Sequence, residues 1–563
     1  MDTVQRNKDG YNALKPYLAL ADSIQNDEQL AITFAKLQEI GTAPFFALGR
    51  DADAGNSSQT IASLWQSGIG LPDRDYYFND DPFITKIRDG YKTMLTNFAN
   101  MIGMDNAEQR VDAVYELEKT IAEKMYTRKQ NRDPKATYNK VDYEGLKNTV
   151  KGFDWDAFFN AAGVHPEEIN LTQIGYFEQM GQLIANADKA TISDYIRLMI
   201  IKSKASFLSD DFVQVSFDYY GKILSGTEQQ RPLWKRVLGS VNNELLGQLF
   251  VEKYFPAAAK ERMIELIENL RTAFAQRIDN LTWMGDSTKI QAKEKLAAIT
   301  IKVGYPNKWE DYSEMNIDRE LGYIGNIINV SKFSHKKELE KIGKPVDKDE
   351  WYMTPQTVNA YYNPSANEIV FPAGILQPPF FYANGDDAVN YGAIGVVIGH
   401  EMTHGFDDQG CQFDKIGNLK NWWTDEDSER FKKATQKLAE RYSSFIAVDT
   451  LHANGELTLG ENIADLGGLN IAHQAFINSL HGNEPATIDG QTADQRFCYA
   501  YSRIWASNIS NETLYQQVKT DPHSPARLRV NVPLPLVDFF YKAFNITDSA
   551  EMYVPENERI VIW

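Results

Sequence analysis

An apolar run, Ile394-Gly395-Val396-Val397-Ile398-Gly399, leads directly into His400-Glu401-Met402-Thr403-His404, and this junction restricts the fold more than any other stretch. Residues four apart project from one face of a helix, so the spacing predicts a helix over 389–406 with both imidazoles on one side. Two imidazole nitrogens so placed can each reach one zinc ion at about 2.0–2.1 Å. Glu401 lies one step round that helix, where its carboxylate reaches a water beside the metal rather than the metal itself. The apolar approach suits a buried helix with a dry site at its end. The bland alternative is two surface histidines on a helix.

A catalytic zinc requires a third protein ligand and an open position. A third histidine six residues past His404 is excluded, because position 410 is Gly. A downstream carboxylate is the other route. Glu461 and Asp465 stand four apart in Gly460-Glu461-Asn462-Ile463-Ala464-Asp465, on one face of a second predicted helix. Glu461 then binds zinc while Asp465 takes the free ring N–H of a ligand histidine. Thr458-Leu459-Gly460-Glu461 equally fits a capping box, in which Glu461 only caps its own helix. Alone, the two readings balance; with the histidine pair, the ligand reading prevails. His523 lies between Pro522 and Pro525, two residues after Asp521. An imidazole held in a fixed direction could stabilise an oxyanion, although spacing alone favours a loop histidine with no role.

The rest of the chain sets the frame. A length of 563 residues exceeds what one core supports, so at least two domains are expected. Helical periodicity dominates roughly the first half, as in Val114–Arg128, Tyr195–Phe207 and Ala258–Met284. Beyond a turn-rich break at Gly304–Trp309, β-formers in 357–362 and 368–371 flank Asn363-Pro364-Ser365-Ala366-Asn367 and read as a hairpin. Further helices are expected at 424–445, 462–480 and 492–508, and the apolar end Ile560–Trp563 is expected to dock. The division predicted is a helical domain over 1–300, a connecting segment over 301–350 and a metal-binding domain over 351–563.

Composition, 43% hydrophobic and 24% charged, is that of a globular protein, and no stretch is long and apolar enough for a membrane span. A net charge of −19 argues against nucleic acid as a partner. Cys411 and Cys498 cannot make a disulfide framework and read as free thiols. Seven Asn-x-Ser/Thr sequons, Asn170 and Asn545 among them, arise readily by chance and carry no argument.

These segments resemble one family, the neprilysin-like zinc endopeptidases, which include the endothelin-converting enzymes and bacterial oligopeptidases. The matching pieces are Val358–Tyr362, Glu368–Phe381, His400–Asp408, Gly460–Gly468, Asp521–Arg529 and Val561–Trp563. Gly70–Tyr77 and Gly304–Trp309 extend the match into the helical half. The resemblance implies a mainly α fold with small β-sheets (α+β), in which a thermolysin-like gluzincin domain is capped by a large helical domain. It implies one Zn2+ per chain on His400, His404 and Glu461, with Glu401 as general base and Asp465 orienting the first ligand histidine. It makes His523 the transition-state stabiliser. Asn359 and the Ala360 backbone would pair with the substrate main chain, and Arg529 would grip the carbonyl after the scissile bond. Ile375, Phe380, Val397 and Trp505 would form an apolar pocket, implying oligopeptide cleavage before large hydrophobic residues.

The cysteines of eukaryotic members are missing, so a bacterial member is expected, with a periplasmic, cell-surface or secreted location favoured. The family also carries an N-terminal segment with no counterpart ahead of Met1, so a further segment is expected to complete the pocket. Two other classes compete. A zinc aminopeptidase would need an acidic anchor for the substrate amine, and no Gly-x-Met-Glu-Asn-like segment occurs. A catalytically dead binding protein, whether a scaffold by design or inactive for want of the N-terminal block, is the second: all the chemical groups are present, and a pocket lacking one wall is what keeps this reading open.

Overall fold

The computed structural model describes residues 2–241, 243–255 and 257–563. Helices make up 56% of the chain, and among the described residues the strands form small sheets of four, three and two. The fold is therefore mainly α with small β-sheets, as expected. Among the described residues no helix is long and apolar enough to cross a membrane.

Two compact units emerge, and their division along the chain differs from the predicted one. The first comprises Met1–Asp53, Ser58–Arg236 and Asp311–Val346; the second comprises Ala54–Ser57, Val237–Glu310 and Asp347–Trp563. Residues 237–300, expected with the helical first part, belong to the second unit for two reasons. The helix Ala257–Asn280 buries Met263, Ile267, Leu270, Phe274 and Ile278 in the core that also holds Ile398, Met402 and Leu469. The strand Thr300–Gly304 is part of that unit's sheet. The segment expected as a connector instead contributes the helix Gly322–Leu339 to the first unit, where Glu338 pairs with Arg50 at 3.0 Å.

The three-stranded sheet lies beside the helix that carries His400 and His404. Its central strand Glu368–Pro372 is buried along its whole length, which explains its unbroken Ile369-Val370-Phe371 run. Thr300–Gly304 pairs with it in parallel, Ile301 opposite Ile369. Tyr361–Asn363 pairs antiparallel, Tyr362 opposite Ile369. The expected hairpin is present, with its first strand shorter than the β-formers suggested. Tyr361–Asn363 is an edge strand, and Asn359 and Ala360 lead into it.

The predicted helix over 389–406 is built in three joined pieces: Asp387–Asn390, a π-helical stretch Tyr391–Gly395, and Val396–His404. A wide turn of this kind re-aims the residues that follow it. Other predicted helices appear as Asp425–Ser443, Leu459–Ser479 and Ala493–Ile504. The chain end docks as expected: Ile562 and Trp563 are buried, with Trp563 among Phe274, Phe406 and Phe431.

Candidate active site

Two helices carry the site, and glycines set the distance between them. A Cβ on Gly468 would lie 2.6 Å from the Val396 carbonyl oxygen, and one on Gly399 would lie 2.9 Å from the Gly468 Cα. Val396–His404 and Leu459–Ser479 therefore touch backbone to backbone, which no residue with a side chain permits. That closeness brings Glu461 under the histidine pair.

His400 Nε2 and His404 Nε2 lie 3.0 Å apart. Glu461 meets them with Oε2 at 3.2 Å from the first and Oε1 at 3.6 Å from the second. The far side of each ring is engaged: His400 Nδ1 bonds Asp465 at 2.9 Å and His404 Nδ1 bonds Asp407 at 2.8 Å. Asp465 and Asp407 favour a proton on each Nδ1, which leaves each Nε2 facing the Glu461 carboxylate and the other ring. Among the described residues, the buried Glu461 Oε2 has no hydrogen-bond donor. His400, His404 and Glu461 thus bring three donor atoms together and form a group able to hold a metal ion. Two imidazoles and a carboxylate fit zinc.

The electrostatics agree. Burial alone would raise the Glu461 carboxyl, but His404 and His400 override it and hold it well below the usual range. Burial likewise works against Asp465, and Arg529 and His400 keep it low. Burial would lower His404, yet Glu461 and Asp407 lift it well above an ordinary imidazole. Carboxylates thus draw protons onto the rings, and a divalent cation in the same place replaces them. Glu401 is buried, and that burial raises its carboxyl against the pull of His400 and His404.

The capping reading of Glu461 finds no support in the helix start. Thr458 stands at the N-cap and makes no side-chain cap bond; its hydroxyl donates to the Asn454 carbonyl instead. His523 lies against the site, with Nε2 3.3 Å from Glu461 Oε2. Its Nδ1 and its backbone N–H both meet Asp521 Oδ1 at 2.8 Å. Arg529 is buried and clamps Asp465 with two bonds of 2.8 and 2.7 Å, while its guanidinium carbon lies over the Trp505 ring, 3.8 Å from the ring centre. Ile375 is buried in the surrounding core, and Phe380, Val397 and Trp505 sit half-buried at its border. The Ile394 N–H donates to the Phe380 carbonyl at 3.0 Å, tying that loop to the metal-site helix. Asn359 is exposed and Ala360 buried. Neither Cys411 nor Cys498 is in a disulfide, and burial pushes the Cys498 thiol up to about 12.

Three residues escaped the sequence reading. Asp407 holds His404 as Asp465 holds His400, and its other oxygen accepts the Gln409 and Gly410 N–H groups at 2.8 and 2.7 Å. The one available signal was its place three residues past His404. The buried Ser524 hydroxyl donates to Asn462 at 2.8 Å and ties the His523 loop to the Glu461 helix; nothing local announced that pair.

A helical protein with two histidines and a carboxylate grouped beside a further buried carboxylate suits a metal-dependent hydrolase. Two descriptions of peptidase family M13 match the chain, its N-terminal part over residues 1–306 and its second part over 359–560. The chain belongs to that family, the neprilysin and endothelin-converting-enzyme group of zinc metallopeptidases. It is 34% identical to mouse endothelin-converting enzyme 1, over 92% of this chain and 69% of the mouse protein. Zinc metalloprotease Zmp1 of Mycobacterium tuberculosis, solved with an inhibitor, superposes with a TM-score of 0.97 at 37% identity. That match covers all of this chain and 87% of Zmp1. PEPO of Lactobacillus rhamnosis gives a TM-score of 0.89 at 25% identity, over all of this chain and 89% of PEPO.

Proposed function

We propose that this chain is a zinc endopeptidase that hydrolyses oligopeptides on the N-terminal side of large hydrophobic residues, with His400, His404 and Glu461 holding the metal. The observation that carries it is the convergence of two imidazoles, each held from behind by a carboxylate, with Glu461 next to a further buried carboxylate. Zinc held there supplies Lewis acidity that activates water and polarises the scissile carbonyl. Glu401 takes the proton from the attacking water and passes it to the leaving amine. Its elevated carboxyl suits both halves of that transfer, because burial weakens the charged form.

His523, aimed by Asp521, donates from Nε2 to the oxyanion as it develops. The edge strand Tyr361–Asn363 and its approach through Asn359 and Ala360 receive the substrate backbone as an added strand. Arg529, fixed by Asp465 and Trp505, grips the carbonyl after the scissile bond. Ile375, Phe380, Val397 and Trp505 form the apolar surface for the side chain there. The bacterial origin and the extracytoplasmic location expected from the sequence are part of the same proposal.

The test is Glu401→Gln, assayed on an N-terminally blocked quenched peptide with cleavage mapped by mass spectrometry. The variant is expected to keep one zinc per chain and lose roughly 10³-fold or more in kcat. Wild-type turnover in that variant, or failure of the wild type to cut a blocked peptide, would refute the reading.

A further inference from the structure

His404 occupies the last position of its helix, where the chain must turn and still hold the imidazole steady. The turn is gripped from outside the metal-site helices. Lys295, on the helix Asp286–Ala297, is only 1% exposed. Its Nζ donates to the carbonyl oxygens of Gly405, Gly410 and Phe413, each at 2.7 Å. An ammonium has three N–H donors, so three acceptors saturate it. Its charge also lies over the rings of Phe406 and Trp422, 5.5 and 5.8 Å from their centres.

Burial pushes the Lys295 ammonium down to about 7, a cost that an apolar side chain would escape while taking this donor from three buried carbonyls. What the ammonium does that an apolar chain cannot is draw three carbonyl dipoles to one point. All three belong to the loop 405–413, and that loop acts on His404 twice. Asp407 bonds its Nδ1, and the Gly410 backbone presses so close to the His404 carbonyl that a Cβ there would lie 1.8 Å from the oxygen. A cation at the carbonyl end of a helix also complements the helix dipole.

We propose that Lys295 is a positioning residue for His404, its ammonium gathering the 405–413 loop so that Asp407 holds the imidazole in its metal-binding orientation. This rests on the metal-site reading above and adds a group outside it.

The experiment measures the zinc dissociation constant of the full chain by competition with a chromophoric chelator, beside the melting temperature of the metal-free protein. Lys295→Met is expected to weaken zinc about tenfold or more, the range seen when a partner behind a metal ligand is removed. Leu296→Ala, a buried neighbour on the same helix, is expected to lower the melting temperature and leave zinc affinity within about twofold. Should Lys295→Met fail to fold, Lys295→Gln, which keeps two N–H donors, is expected to weaken zinc at least about threefold. Zinc affinity unchanged in the Lys295 variant, or loosened equally in Leu296→Ala, would overturn the role of Lys295. A wild type that binds no zinc would instead overturn the metal site itself.

Discussion

Gly468→Ala tests whether the helix crossing sets the metal geometry. The added methyl would lie 2.6 Å from the Val396 carbonyl oxygen and 2.8 Å from the His400 amide nitrogen. Ordinary contact begins near 3.4 Å, so the two helices must part by about 0.8 Å. Both obstacles are backbone atoms, so no rotamer change relieves the clash. Metal–ligand distances tolerate about ±0.2 Å, and the required shift exceeds that several times over while acting directly at His400. Overpacking of this kind costs about 1–3 kcal/mol of stability. The expected result is a melting temperature a few degrees lower and zinc binding at least about tenfold weaker, read by chelator competition and a thermal melt of the metal-free chain. Gly239→Ala is the control, since a Cβ there has nothing within 4 Å. If Gly468→Ala binds zinc and cleaves peptide as the wild type does, the close crossing does not determine the site.

Three further outcomes are expected. His523→Ala should lower kcat about 10²–10³-fold with little change in KM; a change confined to KM would make His523 a substrate contact instead. Chelation should lower the melting temperature, and zinc at a hundred times its Kd should restore about 2.7 kcal/mol; a melt indifferent to zinc would count against the site. Asp427 is buried and accepts from the Gly285 N–H at 3.0 Å and the Thr288 hydroxyl at 2.6 Å. Burial raises its carboxyl, but Thr288 and Gly285 outweigh that and hold it below 3.8. A carboxyl lowered in the folded state stabilises fully above its unfolded pKa and loses that contribution as pH falls through the folded value. Asp427→Asn should therefore cost about 1–3 kcal/mol at pH 7, with the gap to wild type closing below about pH 4. A gap that stays constant on acidification would refute the assignment.

How far the site could be read from the chain follows the range of each interaction. His400 and His404 share one face of a helix with Glu401 one step round it, and Glu461 and Asp465 share a face of another, so periodicity placed each of them. The choice between ligand and cap for Glu461 needed the second helix in place, because either role uses the same local sequence. Asp407 was within reach, three residues past His404, but a short acidic loop looks alike whether or not it holds a ring. Ser524 with Asn462 and Lys295 with the 405–413 loop join positions 62 to 118 residues apart, and no local pattern encodes such pairs. The same limit moved the boundary between the units: the helix Ala257–Asn280 has the periodicity of a helical domain, and only its buried partners assign it to the second core.

Position 410 shows the division most plainly. The sequence by itself determined that no histidine stands there, which removed one metal-binding pattern and left a downstream carboxylate as the candidate third ligand. Why a glycine stands there was decided by tertiary structure, since its backbone lies against the His404 carbonyl where no side chain fits. Motif spacing follows from the geometry of a single helix, which the local chain dictates. The distance from Glu461 to the histidines, and the carboxylates and lysine that hold them, depend on close approaches between remote segments. Those exist only once the core has packed.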